Sequence, residues 1–353
     1  MFDIKRREFI TLLGGAGLWP LRSHAQQSTT AVIGFLHGGP ASANAPLTEP
    51  FRQGLAEFGY VDGRNVTIEF SWAEGHYDRL GQLAADLVRR QVAIIAAFSP
   101  PAAQAAKAAT ATIPIVFESG NDPVKARLVA IFNRPGGNAT GINILVEELL
   151  GKRLGLLHEL VPTASTIAAL LNPQTPAYET QSRDVEAAAR NLGQQIHILK
   201  ASTEQDVDRA FTELVQLRVG ALLVGSDPFL AGRLQRLVAL AARHSVPATY
   251  ARHEFVKAGG LMSYDVDFPD AYRQSGIYVG RILKGEKPSE LPVVRPTKFK
   301  LAINVRTAKT LGLSVPSGML RSRLQTMFAT HAAFADCIMK HAGSPIESRR
   351  NSE

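Results

Sequence analysis

The side chains able to do chemistry in this sequence are scattered, and the spacings that mark catalytic sites are missing. No Gly-x-Ser-x-Gly elbow presents a serine as nucleophile. His-Glu-x-x-His, a phosphate loop ending in Gly-Lys-Ser/Thr and a dinucleotide fingerprint are also missing beyond the N-terminal segment. The nine histidines form no close pair at metal-ligand spacing, so neither a metal nor another cofactor is expected. His37-Gly38-Gly39 resembles part of an esterase oxyanion loop; without a nucleophile elbow it reads as a glycine turn beside a ligand. The chain does carry a set of short polar loops, each directly after an apolar run. They are His37-Gly38-Gly39-Pro40, Ser99-Pro100-Pro101, Ser119-Gly120-Asn121-Asp122-Pro123, Asn172-Pro173-Gln174, Gly225-Ser226-Asp227-Pro228 and Tyr250-Ala251-Arg252. Their chemistry is recognition. Ser, Asn or Asp before Pro is also the pattern of a helix cap, with proline in the first helical position. The two roles are compatible, because a helix N-terminus presents N–H donors and partial positive charge that suit a carboxylate.

Such loops need elements that hold them at one end of a sheet. Ala31 to Leu36 reads as a strand, and Ala93 to Phe98 and Ile115 to Phe117 are apolar on both faces, as buried parallel strands are. Val66, Ile68, Phe70 and Trp72 alternate with polar residues, the period of a half-exposed strand. Between these runs the spacing predicts helices over Pro46 to Phe58, around Leu80 to Val88, and from Pro101. The same grammar restarts after Gly141. Strands are expected at Thr166 to Leu171, Gln195 to Leu199 and Ala221 to Val224. Helices are expected over Glu147 to Leu160, Val185 to Leu192, Val207 to Val215, Phe229 to His244 and Ala271 to Leu283, with extended Pro-rich stretches over Pro288 to Pro296. Two successive βα arrays argue for an α/β protein of two doubly wound parallel-sheet lobes. In open sheets of this kind ligands bind beyond the carboxyl ends of the strands, which is where the polar loops lie.

The N-terminus sets an expected compartment. Lys5, Arg6 and Arg7 precede a short apolar run from Phe9 to Leu18, and Ser23-His24-Ala25 offers small residues for a signal peptidase. That pattern is an export signal over residues 1–25, and Arg6-Arg7-Glu8-Phe9-Ile10 also fits the twin-arginine type. No cysteine stands near the cleavage site to take a lipid, so the expected location is periplasmic. Cys337 is the single cysteine, which excludes an internal disulfide. Of the formal net charge of +8, the first 25 residues supply +2 from four basic and two acidic side chains, leaving +6. These remaining charges are scattered among acids, a solvated basic surface with no nucleic-acid stripe.

Several segments together resemble one family. Lys5-Arg6-Arg7-Glu8-Phe9-Ile10-Thr11-Leu12-Leu13-Gly14-Gly15 looks like the usual start of ABC-transporter substrate-binding proteins related to the tryptophan-binding TrpX. Phe51 to Leu55, Gly63 to Val66, Asn133 to Gly141, Leu222 to Pro228 and Gly259 to Tyr264 are similar to that family as well. The resemblance runs to about Pro316; the segment from Ser317 looks unrelated and is expected to be an accessory or poorly ordered tail. It implies a type I periplasmic-binding-protein fold, lobes joined by a hinge, a ligand enclosed between them, no catalysis, and an ABC permease and ATPase complex as partner to a monomer. It also implies three hinge crossings, expected near Gly141, Asp265 and Pro296. On this reading residues 30–141 and 265–290 form the first lobe and 142–264 and 291–316 the second. The family often has a Gly- and Thr-containing turn where this chain has Phe98-Ser99-Pro100-Pro101, which puts the pocket at that point in question.

The expected ligand is an amino acid or similar small carboxylate. The residues expected around it are His37, Phe98, Ser99, Ser119, Asn121, Asp122, Asn143, Asn172, Ser226, Asp227, Tyr250 and Tyr264. Ser99 and Ser119 would offer hydroxyls to a carboxylate beside helix N-terminal N–H groups. Asp227, with Asp122 as alternate, would accept from an ammonium, and Phe98, Tyr250 and Tyr264 would cover the side chain. A ligand-sensing role for a membrane receptor is the alternative, and a hydrolase is disfavoured by the missing elbow.

Overall fold

Parallel strands buried on both faces need helices above and below, and this chain supplies them twice. The computed structural model describes residues 30–144 and 146–321. Strands β1 (Ala31–His37), β2 (Val66–Trp72), β3 (Ile94–Phe98), β4 (Ile115–Ser119) and β5 (Ala139–Asn143) form a parallel sheet in the order β2-β1-β3-β4-β5. A second sheet holds β6 (Thr166–Leu171), β7 (Gln195–Lys200), β8 (Ala221–Val224), β9 (Ala248–Tyr250), β10 (Met262–Val266) and β11 (Phe299–Ile303). Its order is β11-β10-β9-β8-β6-β7, parallel except for the edge pair β10 and β11. The strand β11 is not expected from the sequence. It is short, sits at an edge and follows a Pro-rich stretch, so its apolar signal is weak.

The helices depart from expectation at their breakers. Pro46 and its neighbours form a 3₁₀ turn, Ala45–Leu47, between a short helix Ala41–Asn44 and the longer Thr48–Ala56. A proline is accommodated in a first turn and not in a helix interior. The helix expected over Phe229 to His244 is two, Pro228–Ala231 and Leu234–Arg243, divided at Gly232-Arg233. Tyr178–Asn191 begins earlier than its apolar pattern, because its first half is mostly polar and carries no stripe to read.

The helix Phe268–Leu283 follows β10 of the second sheet yet buries Ala271, Tyr272, Tyr278, Val279 and Ile282 in the core of the first lobe. It crosses Thr48–Ala56 with almost no space between the backbones. A Cβ added at Gly54 would collide with the carbonyl oxygen of Arg273, and one added at Gly276 with that of Phe51. The chain then stays with the first sheet. Val294 bridges to Ile142, and Thr140 Oγ1 donates to the Leu291 carbonyl at 2.7 Å. These pairings bear on where the lobes divide: Ile142 and Asn143 belong to β5, Asp265 and Val266 to β10, and Val294 bridges to the first sheet. The pairing of these strands sets the boundaries, and strand pairing is not visible in composition.

Ser317–Arg321 is helical, and Met319, 2 % exposed, packs in the second-lobe core. The remainder of the expected tail, like the export signal, lies outside the described residues. Gly276→Ala is expected to cost about 3 kcal/mol, at the upper end for overpacking, because backbone has no rotamer with which to yield. Urea unfolding of wild type and variant measures it.

Candidate ligand-binding cleft

The carboxyl ends of both sheets' strands meet across a cleft with about 740 Å³ of empty space, its mouth included. His37, Asn44, Ser99, Glu118 and Asn121 line it from the first lobe, together with Phe268 and Tyr272 of the returning helix. Thr175, Gln181, Ser226, Asp227, Arg252 and Phe255 line it from the second. Hydrogen bonds cross it directly. Tyr77, after β2, donates its hydroxyl to Asp227 Oδ2 at 2.6 Å and accepts from the Phe229 N–H at 3.1 Å. Arg252 Nη1 donates to Asn44 Oδ1 at 2.9 Å.

Of the expected contacts, His37, Ser99, Asn121, Ser226 and Asp227 line the cleft. The Gly39 N–H donates to His37 Nδ1 at 2.7 Å, which leaves the Nε2 proton for Tyr272 Oη at 3.1 Å. Burial, helped by Arg252, pushes the His37 pKa down to about 3, so the ring is neutral. Asp227 is the cap of the short helix that follows it. Its Oδ1 accepts from Leu230 N–H and Asn172 Nδ2, each at 3.1 Å, and its Oδ2 from Tyr77. Burial raises the Asp227 pKa, and the donors from Tyr77, Asn172 and the backbone oppose that rise.

Ser99 stands at φ 102°, ψ 151°, a region that glycine occupies and other residues rarely do. The expected donors beside it are missing for a simple reason. Pro100 and Pro101 carry no N–H, and the Ala102 N–H already reaches Ser99 Oγ at 3.4 Å. A carboxylate finds little at this helix end.

The other expected residues support the cleft from outside its lining. Phe98 is stacked between Phe35 and Tyr272, with ring centroids 4.4 and 4.3 Å away. Tyr250 stacks on Phe255 in the second-lobe core. Ser119 is fully buried and accepts from the Asn121 N–H, while Asn143 Nδ2 donates to the Asn121 carbonyl at 2.7 Å. Asp122 caps the turn at Val124 and Lys125, and Asn172 holds Asp227. Tyr264 lines a smaller cavity that shares Ser226, Ala251 and Phe268 with the main one.

Sequence reasoning missed Glu118 and Arg252. Glu118 is the penultimate residue of β4, on the same face as Val116, and is 4 % exposed. It falls between the apolar run ending at Phe117 and the polar loop starting at Ser119, so neither pattern claims it. Arg252 stood in a recognised loop, but its aromatic neighbour Tyr250 drew the assignment. The side chain is buried, with its guanidinium 5.1 Å from the Phe268 ring centroid and Nε 3.4 Å from Glu254 Oε2. Among the described residues no group of acids, histidines or cysteines is arranged to hold a metal ion, and no helix is long and apolar enough to cross a membrane.

Residues 31–327 match the family model for ABC transporter substrate binding proteins, and the chain belongs to that family. The match continues past Pro316 to residue 327. The family is one of binding proteins, not enzymes, and the two-sheet architecture is the type I periplasmic-binding-protein fold. The tyrosine-binding protein of Clostridioides difficile strain R20291 is 27 % identical over 263 residues, covering 74 % of this chain and 75 % of that one. An ABC domain from Streptococcus pneumonia in complex with L-Trp is 26 % identical with a TM-score of 0.77, over 85 % of this chain and all of that one. A substrate-binding protein with adhesive properties from Clostridium difficile, in its ligand-free, open form, is 25 % identical at TM-score 0.61, over 85 % of this chain and 99 % of that one. At equal coverage of this chain and nearly equal identity, the arrangement is nearer the ligand-bound than the open relative, in keeping with the hydrogen bonds across the cleft.

Burial pushes the Glu118 carboxyl up from 4.5 to about 7, against the opposing pull of Arg252. The folded protein thus holds this proton more tightly than the unfolded chain. Its stabilising contribution is full below about pH 4.5 and is lost as pH rises through about 7. Glu118→Gln, uncharged at every pH, is therefore expected to raise the melting temperature of ligand-free protein most at pH 8. The gap should close toward pH 4.5. A gap independent of pH would show that this carboxyl does not titrate between folded and unfolded states.

Proposed function

We propose that this protein is exported and captures an amino acid or similar small carboxylate between its lobes, delivering it to an ABC permease and ATPase complex. The observation that carries the reading is Arg252. It is a cation buried in the second lobe at the lining of the cleft, with Nη1 committed to Asn44 and, among the described residues, no hydrogen bond made by Nη2. A guanidinium in that position is a preorganised partner for a carboxylate. The helix end at Ser99, stripped of donors by two prolines, leaves the arginine as the stronger anchor. The tyrosine-binding relative and the relative in complex with L-Trp support an amino acid as the cargo. The basic and apolar pattern of residues 1–25 supports export, with mature protein beginning near Gln26.

Calorimetric titration of purified protein with the twenty amino acids and their deamino acids tests this reading. At least one should bind, and Arg252→Met should weaken that ligand by roughly ten- to hundredfold, the worth of a charge-assisted hydrogen bond. Unchanged affinity in Arg252→Met would remove the arginine from the site.

A further inference from the structure

We infer that the cleft selects a zwitterion, with Glu118 of the first lobe holding the ligand's ammonium while Arg252 of the second holds its carboxylate. This rests on the amino-acid reading above and deepens it. Glu118 lines the cavity, is more than nine-tenths buried, and receives no hydrogen bond from any donor among the described residues. Asp227, the acid expected to take that role, differs in that respect. Three protein donors already occupy its two oxygens. A buried carboxylate without donors is costly, and an ammonium brings three N–H groups and the opposite charge.

The cation nearest in effect does not fill that need. Arg252 influences Glu118 electrostatically, but its close partners are Glu254 and Asn44. The two charges also stand on different lobes, Glu118 in β4 and Arg252 just after β9. A monocarboxylate would satisfy Arg252 and set a second negative charge beside Glu118. A simple amine would satisfy Glu118 and leave Arg252 Nη2 bare. A ligand carrying both groups answers both, and ties the lobes together as it does so.

The test compares matched probes by calorimetry at pH 7.5: L-tryptophan with indole-3-propionate, L-tyrosine with 3-(4-hydroxyphenyl)propionate, and L-leucine with 4-methylpentanoate. Wild type should prefer the amino acid over its deamino partner by at least about tenfold in any pair that binds. Glu118→Gln, isosteric and checked for folding by circular dichroism, should lose that preference by weakening the amino acid alone. Equal binding of both members to wild type overturns the assignment without using the variant. So does an unaltered preference in Glu118→Gln; in both cases the carboxylate reading stands. If none of these pairs binds, the comparison is made with the amino acid that the wider titration finds and its deamino partner; failure of all twenty amino acids and their deamino acids to bind wild type removes the proposed function itself, and this inference with it.

Discussion

Two helices that touch backbone to backbone hold this architecture in place. Phe268–Leu283 leaves the second lobe and lies against Thr48–Ala56 of the first, at a crossing whose backbone approach requires Gly54 and Gly276. Burial of large apolar side chains along it, at about 1.5–3 kcal/mol each, anchors a segment that local sequence order would assign elsewhere. Asp267 starts the helix as its cap and pairs with Lys300 of β11 at 2.8 Å, so the crossing is fastened to the second sheet as well. Because the helix returns, the chain has to cross again to reach β11. The same helix brings Phe268 and Tyr272 to the cleft. The binding surface is thus partly made by the element that links the lobes.

The cleft sorts its charges by how well the protein itself satisfies them. His37 is kept neutral, with both ring nitrogens engaged. Asp227 is satisfied by donors from both lobes, which makes it part of the frame. Glu118 and Arg252 are the charges left with unused hydrogen-bonding capacity. That is the arrangement expected where a polar ligand completes the electrostatics of a buried site. The prolines after Ser99 belong to the same logic. By removing N–H groups they move anion recognition from a helix end to a side chain, which has a directed fork of donors and a full charge.

The sheets were legible because their strands are apolar on both faces and end in polar loops, and those endings located the cleft. Ser99, Asn121 and Asp227 follow directly from that rule. Strand alternation alone does not say which face is core and which is cavity; for Phe98 and Tyr250, packing against Phe35 and Phe255 places the rings in the core. Glu118 was invisible for a related reason. A lone acid near the end of an apolar strand has no periodic signature, and its meaning comes from the helix 268–283 that covers it. Asp122, Asn143 and Asn172 looked like ligand contacts because a cap or a strut uses the same residue types as a recognition site. Only the geometry separates them.

Tyr77 has a bearing on timing. Its hydroxyl joins Asp227 and the Phe229 N–H across the lobes, bonds that exist only while the lobes are together. Such bonds add to the closed state whatever the cargo is, so they lengthen the residence time of every ligand alike. Discrimination between cargoes must then come from groups that touch the cargo, while Tyr77 adds to how long the lobes stay together. In a delivery cycle those are separable quantities: one side chain can tune how long the package stays shut without altering what goes into it.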